Sequence, residues 1–264
     1  MNEDNSYVLK ELIDVGSDIA GSTSGAMVGS FIAGPPGLVF GSMAGPLIKK
    51  VVCNLGIEIS KRLISPREEK RIGAAYIFAL EKMAIYQERG LTIRDDDFFN
   101  ELEFDRSNAE EVLEGILLTC QRTFEEKKIQ YIGYLYANII YNSNINRNYA
   151  NFLIKLSNEL TFRQYCLIYL LKDFMIDAEI DYPEDKNHPD ITIKRVDVIS
   201  EVRDLITRGL YREYVFMADE EVDNTKPIFK KHLSITRLGN DYINYLQLNE
   251  IPFAYLIEIQ NQFL

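Results

Sequence analysis

Histidine, cysteine and positive charge are all in short supply in this chain. It holds two histidines, His188 and His232, and three cysteines, Cys53, Cys120 and Cys166, with no CxxC pair among them. The cysteines lie far apart, each in an apolar run, which predicts reduced core thiols rather than a disulfide framework or a zinc site. Lys and Arg number 29 against 40 Asp and Glu, a net charge of -11. Phosphate binding is driven mainly by Lys and Arg, so this balance argues against nucleic acid as a partner. Neither histidine has a partner at ligand spacing. Asp95-Asp96-Asp97 reads as an exposed acidic turn, because consecutive loop residues point in different directions and a hard-cation cage needs convergent oxygens. No P-loop, G-x-S-x-G or dinucleotide fingerprint occurs. The expectation is a protein that is no enzyme and holds no metal and no cofactor.

One absence is local. The 30 residues from Ile19 to Ile48 include no charged side chain. Their glycines fall in two phased sets, Gly21, Gly25, Gly29 and Gly37, Gly41, Gly45, with Pro35 and Pro36 as a hinge between them. A spacing of four places each set on one face of a helix, where a second helix can approach to backbone contact. About 20 apolar residues span a bilayer, and this run is longer. Lys49 and Lys50 follow it, then Lys61 and Arg62, which suits a headgroup anchor and a cytoplasmic C-terminal side. Gly, Ser and Thr dilute the hydrophobicity, however, and the Pro-Pro break shortens each arm. Two readings stand: a hairpin that enters a bilayer after self-association, or one packed tightly in solution against the body of the protein or its copies. The leader carries Glu3, Asp4, Glu11 and Asp14 where a secretory signal would be basic, so the expected location is cytoplasmic with inner-membrane association, in a bacterium.

Downstream, helix signals recur. Ser65-Pro66-Arg67-Glu68 and Ser107-Asn108-Ala109-Glu110 are capping boxes, and Thr161-Phe162-Arg163-Gln164 is a third. They predict helices over 66–88, over 107–141 with a break at Glu125–Lys128, over 147–160 and over 165–174. The second carries an apolar stripe of Val112, Ile116, Leu117, Cys120 and Phe124. Tyr131, Tyr134, Tyr136 and Tyr141 alternate with Ile and Leu and read as core. After Asp177 the texture changes to a polar linker (181–189), short β-like runs at 191–193 and 214–217, a helix over 197–208, a capped helix over 237–246 and a tail.

Three resemblances follow from these residues. The glycine segment, over 17–60, resembles the glycine-zipper hairpins of bacteriocin-like and pore-forming peptides, although the Pro35-Pro36 break departs from unbroken zippers. Residues 161–250, with Leu233-Ser234-Ile235-Thr236-Arg237-Leu238-Gly239 as a closing strand that turns into a helix, look like a winged helix. There Arg195, Arg203 and Arg208 are the residues that would face DNA or a protein partner, but they are interleaved with Asp197, Glu201 and Asp204. The middle of the chain, including Tyr149-Ala150-Asn151-Phe152-Leu153, resembles the alpha-type helical proteins of bacterial abortive-infection (anti-phage) systems. That resemblance implies an effector that damages the host membrane when infection is sensed.

The expected fold is therefore mainly α, in three parts: a leader and glycine-zipper hairpin (1–64), a helical body (65–160) and a small winged-helix-like α+β domain (161–264). The expected partners are other copies of the chain, the inner membrane and a protein trigger. The alternative is a soluble oligomeric scaffold whose winged helix binds a protein or DNA.

Overall fold

The computed structural model describes residues 65–100, 106–172, 192–214, 228–229 and 232–263. The glycine sets, the Pro35–Pro36 hinge, Lys49, Lys50, Cys53 and the 181–189 linker lie outside the described residues. The described residues are mainly helical, with eight α-helices and two small antiparallel sheets of two strands each. They form two compact units that divide between Glu159 and Leu160.

In the first unit, α1 (Pro66–Glu88) opens on a reciprocal box. Ser65 Oγ accepts the Glu68 N–H at 3.4 Å, and Glu68 accepts the Ser65 N–H at 2.7 Å. The box at Ser107 and Glu110 opens α2 (Asn108–Arg122) with distances of 3.2 and 2.8 Å. Each box satisfies donors that the first helical turn leaves without partners. α1 closes on a Schellman motif in which Gly90 takes φ +76° and the Leu91 N–H reaches the Tyr86 carbonyl at 3.0 Å.

The structure departs from the periodic pattern at Phe124. α2 stops at Arg122, and Thr123 turns extended (φ -67°, ψ 132°). Phe124 thereby leaves the apolar stripe and stands 83% exposed. A 3-10 turn at Glu126–Lys128 then leads into α3 (Ile129–Ile140), and α4 (Arg147–Glu159) follows. α3 packs on α1 and α2, and α2 packs on α4. Ile132, Leu135, Ile139 and Ile140 are fully buried, each worth roughly 1.5–3 kcal/mol relative to exposure. Tyr131, Tyr134 and Tyr136 lie in the same core, while Tyr141 sits at its edge and donates its hydroxyl to the Met83 carbonyl at 3.3 Å.

In the second unit, α5 (Phe162–Lys172) is apolar nearly all round, as a helix at the centre of a core should be, and buries Tyr165, Cys166, Leu167, Ile168, Leu170 and Leu171. β1 (Thr192–Ile193) leads to α6 (Val196–Thr207) and β2 (Tyr211–Glu213). β3 (Ile228–Phe229), β4 (Leu233–Ile235), α7 (Arg237–Leu246) and α8 (Phe253–Gln260) complete the unit. β1 pairs with β3, and β2 pairs with β4 in the register Tyr211 to Ile235 and Glu213 to Leu233. α5 packs on α6, α7, α8 and β4. Edge-on rings pin it at Tyr165–Tyr242 (5.8 Å) and Phe162–Tyr255 (5.5 Å), and the Tyr211 hydroxyl donates to the Ile168 carbonyl at 2.6 Å.

Candidate functional site

Of the residues singled out in the sequence, Arg195, Arg203 and Arg208 fall among the described ones. They flank or lie on α6, which buries Val198, Ile199, Val202 and Leu205. Its acidic residues are held from several directions. Arg163 on α5 forks onto Glu201 at 2.8 and 2.9 Å and reaches Asp197 at 3.0 Å and Gln262 at 3.2 Å. Planar bidentate pairs of this kind are the strong class of charged hydrogen bond. Arg195 forks onto Asp197 at 3.1 and 2.8 Å. Gln164 and Arg208 both donate to one oxygen of Asp204 at 2.8 Å. Arg203 pairs with Glu213 on β2.

These contacts set the electrostatics. The guanidinium groups of Arg195 and then Arg163 hold the Asp197 carboxyl down to about 2, and Glu201 in turn raises Arg163 above its ordinary value. Arg195, Arg203 and Arg208 each face a carboxylate of their own unit, on three different partners. The helix offers a balanced surface rather than the cation cluster that a phosphate backbone needs.

Sequence reading missed a heavily bonded cation of the first unit. Arg94 is 7% exposed. It donates to Asp96 at 2.7 and 2.5 Å, to the Ile139 carbonyl at 3.2 Å and to the Ile145 carbonyl at 2.9 Å, and it lies 4.0 Å from the centroid of the Phe98 ring. The adjacent acidic run drew attention to itself instead. Asp95, Asp96 and Asp97 are exposed, as the sequence suggests, and Arg94 holds the Asp96 carboxyl below its usual range. The available signal was an arginine two residues before Asp96 and four before Phe98. Its contacts tie the loop after α1 to the end of α3, which is a structural role.

Two further buried groups are also structural. Lys128, 2% exposed, donates to the Asn158 carbonyl at 3.4 Å, and burial lowers its pKa. Burial pushes the Cys120 thiol well up, which keeps it protonated and unreactive. Cys120 and Cys166 are both buried thiols outside any disulfide. Among the described residues, no cluster of His, Cys, Asp and Glu could hold a metal ion, and no helix is long and apolar enough to cross a membrane. The remaining candidates, Gly21, Gly25, Gly29, Gly37, Gly41, Gly45, Pro35, Pro36, Lys49 and Lys50, lie outside the described residues. The chain matches no known protein family, no curated protein and no solved structure.

Proposed function

We propose that this chain is a non-enzymatic bacterial effector that acts by self-association and membrane insertion of its glycine-rich segment, in anti-phage defence. The observation that carries the proposal is the uncharged run Ile19–Ile48 with its two four-spaced glycine sets. Gly21, Gly25, Gly29, Gly37, Gly41 and Gly45 form the helix contact, Pro35 and Pro36 the turn, and Lys49 and Lys50 the headgroup anchor. The described residues support the division of labour. A helical body begins at the Ser65 cap, directly after the basic residues that end the segment.

The C-terminal unit is, in this reading, winged-helix-like and a protein-binding module. Its strand-to-helix corner at Thr236–Gly239 and the β2–β4 pair after α6 support the first part. The engagement of Arg195, Arg203 and Arg208 by carboxylates of their own unit favours a protein over DNA.

The test is dye release from vesicles. Replacing Gly25 and Gly41 by Leu places branched side chains where backbones must touch, so leakage should fall by at least about tenfold while the protein remains folded by circular dichroism. Leakage equal to wild type overturns the mechanism. A wild-type chain that forms a discrete soluble oligomer and never partitions into vesicles favours the scaffold alternative.

A further inference from the structure

α8 is apolar on two sides and covered on one. Six of its eight residues are apolar, from Phe253 through Ile257 and then Ile259. Leu256 and Ile259 are buried and Tyr255 meets Phe162 at 5.5 Å, so this side lies on α5. On the other side Phe253 is 51% exposed and Ile257 37%, one helical turn apart, with exposed Ala254 beside them. Val196, 59% exposed, extends the patch. The Lys194 N–H meets the Phe263 carbonyl at 2.9 Å, and Arg163 joins Asp197 to Gln262, so the start of α6 borders the C-terminal end of α8. Three of the seven large apolar side chains that stand exposed among the described residues thus gather on or beside one short helix. A helix apolar on both sides is built for burial on both, and a clustered apolar face left in water marks a contact surface.

We infer that this face joins two copies of the chain, with α8 packed antiparallel on its counterpart about a two-fold axis. The inference is independent of the glycine segment and uses only the second unit. Charge selects a second copy as the occupant. The patch ends on a cation at one end and an anion at the other: exposed Lys194 beside Phe263, and exposed Glu250 three residues before Phe253. A partner of one sign would oppose one of these ends. A two-fold axis instead reverses the helix, so Lys194 of each copy meets Glu250 of the other, and the match is made twice. The same reversal sets Phe253 opposite Val196 of the other copy and brings the two Ile257 side chains together, while Ala254 leaves room for the helices to close.

Sedimentation velocity on the full-length protein tests this. The wild type should dimerise, and Phe253→Ser should raise the dissociation constant at least about tenfold with an unchanged circular dichroism spectrum, because the ring stands in water in a single copy. Lys194→Glu and Glu250→Lys should each shift the protein toward monomer, since each sets two like-charged pairs across the axis. Mixed in equal amounts, these two variants should dimerise again, because every pair between unlike copies then has opposite signs. A contact within one chain cannot produce that rescue. The inference is overturned by a mixture as monomeric as its components, by a Phe253→Ser protein that dimerises like the wild type, or by a wild type that stays monomeric. The Gly25→Leu, Gly41→Leu chain separates this contact from the glycine mechanism, since it should remain dimeric. Loss of the dimer there assigns self-association to the glycine segment and overturns the inference. A persistent dimer that releases dye as the wild type does overturns the glycine mechanism alone.

Discussion

At Gly239 a methyl group would fall inside the van der Waals surface of the Leu210 carbonyl oxygen and 2.6 Å from Ile235 Cγ1. The same residue gives its N–H to Thr236 Oγ1 at 3.0 Å, while that hydroxyl donates to the Gly209 carbonyl at 2.6 Å. The corner thus joins three stretches of backbone, and the obstacle to a side chain is main chain, which cannot rotate away. Gly239→Ala should destabilise the second unit by about 3 kcal/mol, the upper end of overpacking costs. Urea denaturation followed by circular dichroism measures it, and a midpoint within error of wild type would show that the corner can yield. Gly133 plays the related part in the first unit, where an added methyl would sit 2.8 Å from the Ala75 carbonyl oxygen and 3.0 Å from Phe78 Cβ. Backbone approach at glycine is therefore already in use where α1 meets α3, which is the contact principle proposed for the glycine sets at residues 21–45.

The helix starts allow a graded comparison between elements. Ser65 and Ser107 make the same reciprocal box, yet Ser65 is exposed with an Oγ contact of 3.4 Å, while Ser107 is 2% exposed with one of 3.2 Å. Water can replace the first hydroxyl but cannot reach the second. Ser107→Ala should cost about 1–2 kcal/mol and Ser65→Ala no more than about 0.5 kcal/mol, as thermal melts of the two variants will show; equal losses would mean that burial of the cap is irrelevant. These starts were legible because a cap is a local pattern, complete within four residues. The tyrosines of α3 were legible because helical periodicity persists over three turns. What stayed hidden depends on partners distant in sequence. Phe124 has the right spacing for the stripe of α2, but the helix ends two residues earlier, where Thr123 turns extended. α8 read as a tail because Pro252 supplies no side-chain cap, and the helix is held by α5 through the Phe162–Tyr255 contact. β2 begins at Tyr211, ahead of the β-like run at 214–217, because its register follows β4, and three residues are too few to reveal an alternation. Arg94 was illegible for the same reason, since two of the carbonyls it serves are 45 and 51 residues away.

For the whole molecule, charge separates two ways of meeting an anionic surface. The chain carries -11 in total, yet the stretch 49–71 holds seven Lys or Arg against three Glu. If net charge governed the encounter, lipid would repel the protein and added salt would promote binding by screening that repulsion. If the basic stretch leads, each basic residue near the surface contributes about 1 kcal/mol, and salt weakens binding. Screening reaches about 10 Å at 0.1 M and about 3 Å at 1 M ionic strength, so the contrast is clear across an ordinary titration. Co-sedimentation with phosphatidylglycerol vesicles should therefore fall steadily between about 0.05 and 0.5 M salt, a range over which the screening length contracts roughly threefold. The residual binding at high salt then measures what the uncharged run contributes without electrostatic help. A rise in binding with salt would mean that the acidic bulk faces the lipid, and the basic stretch would lose its place in the mechanism.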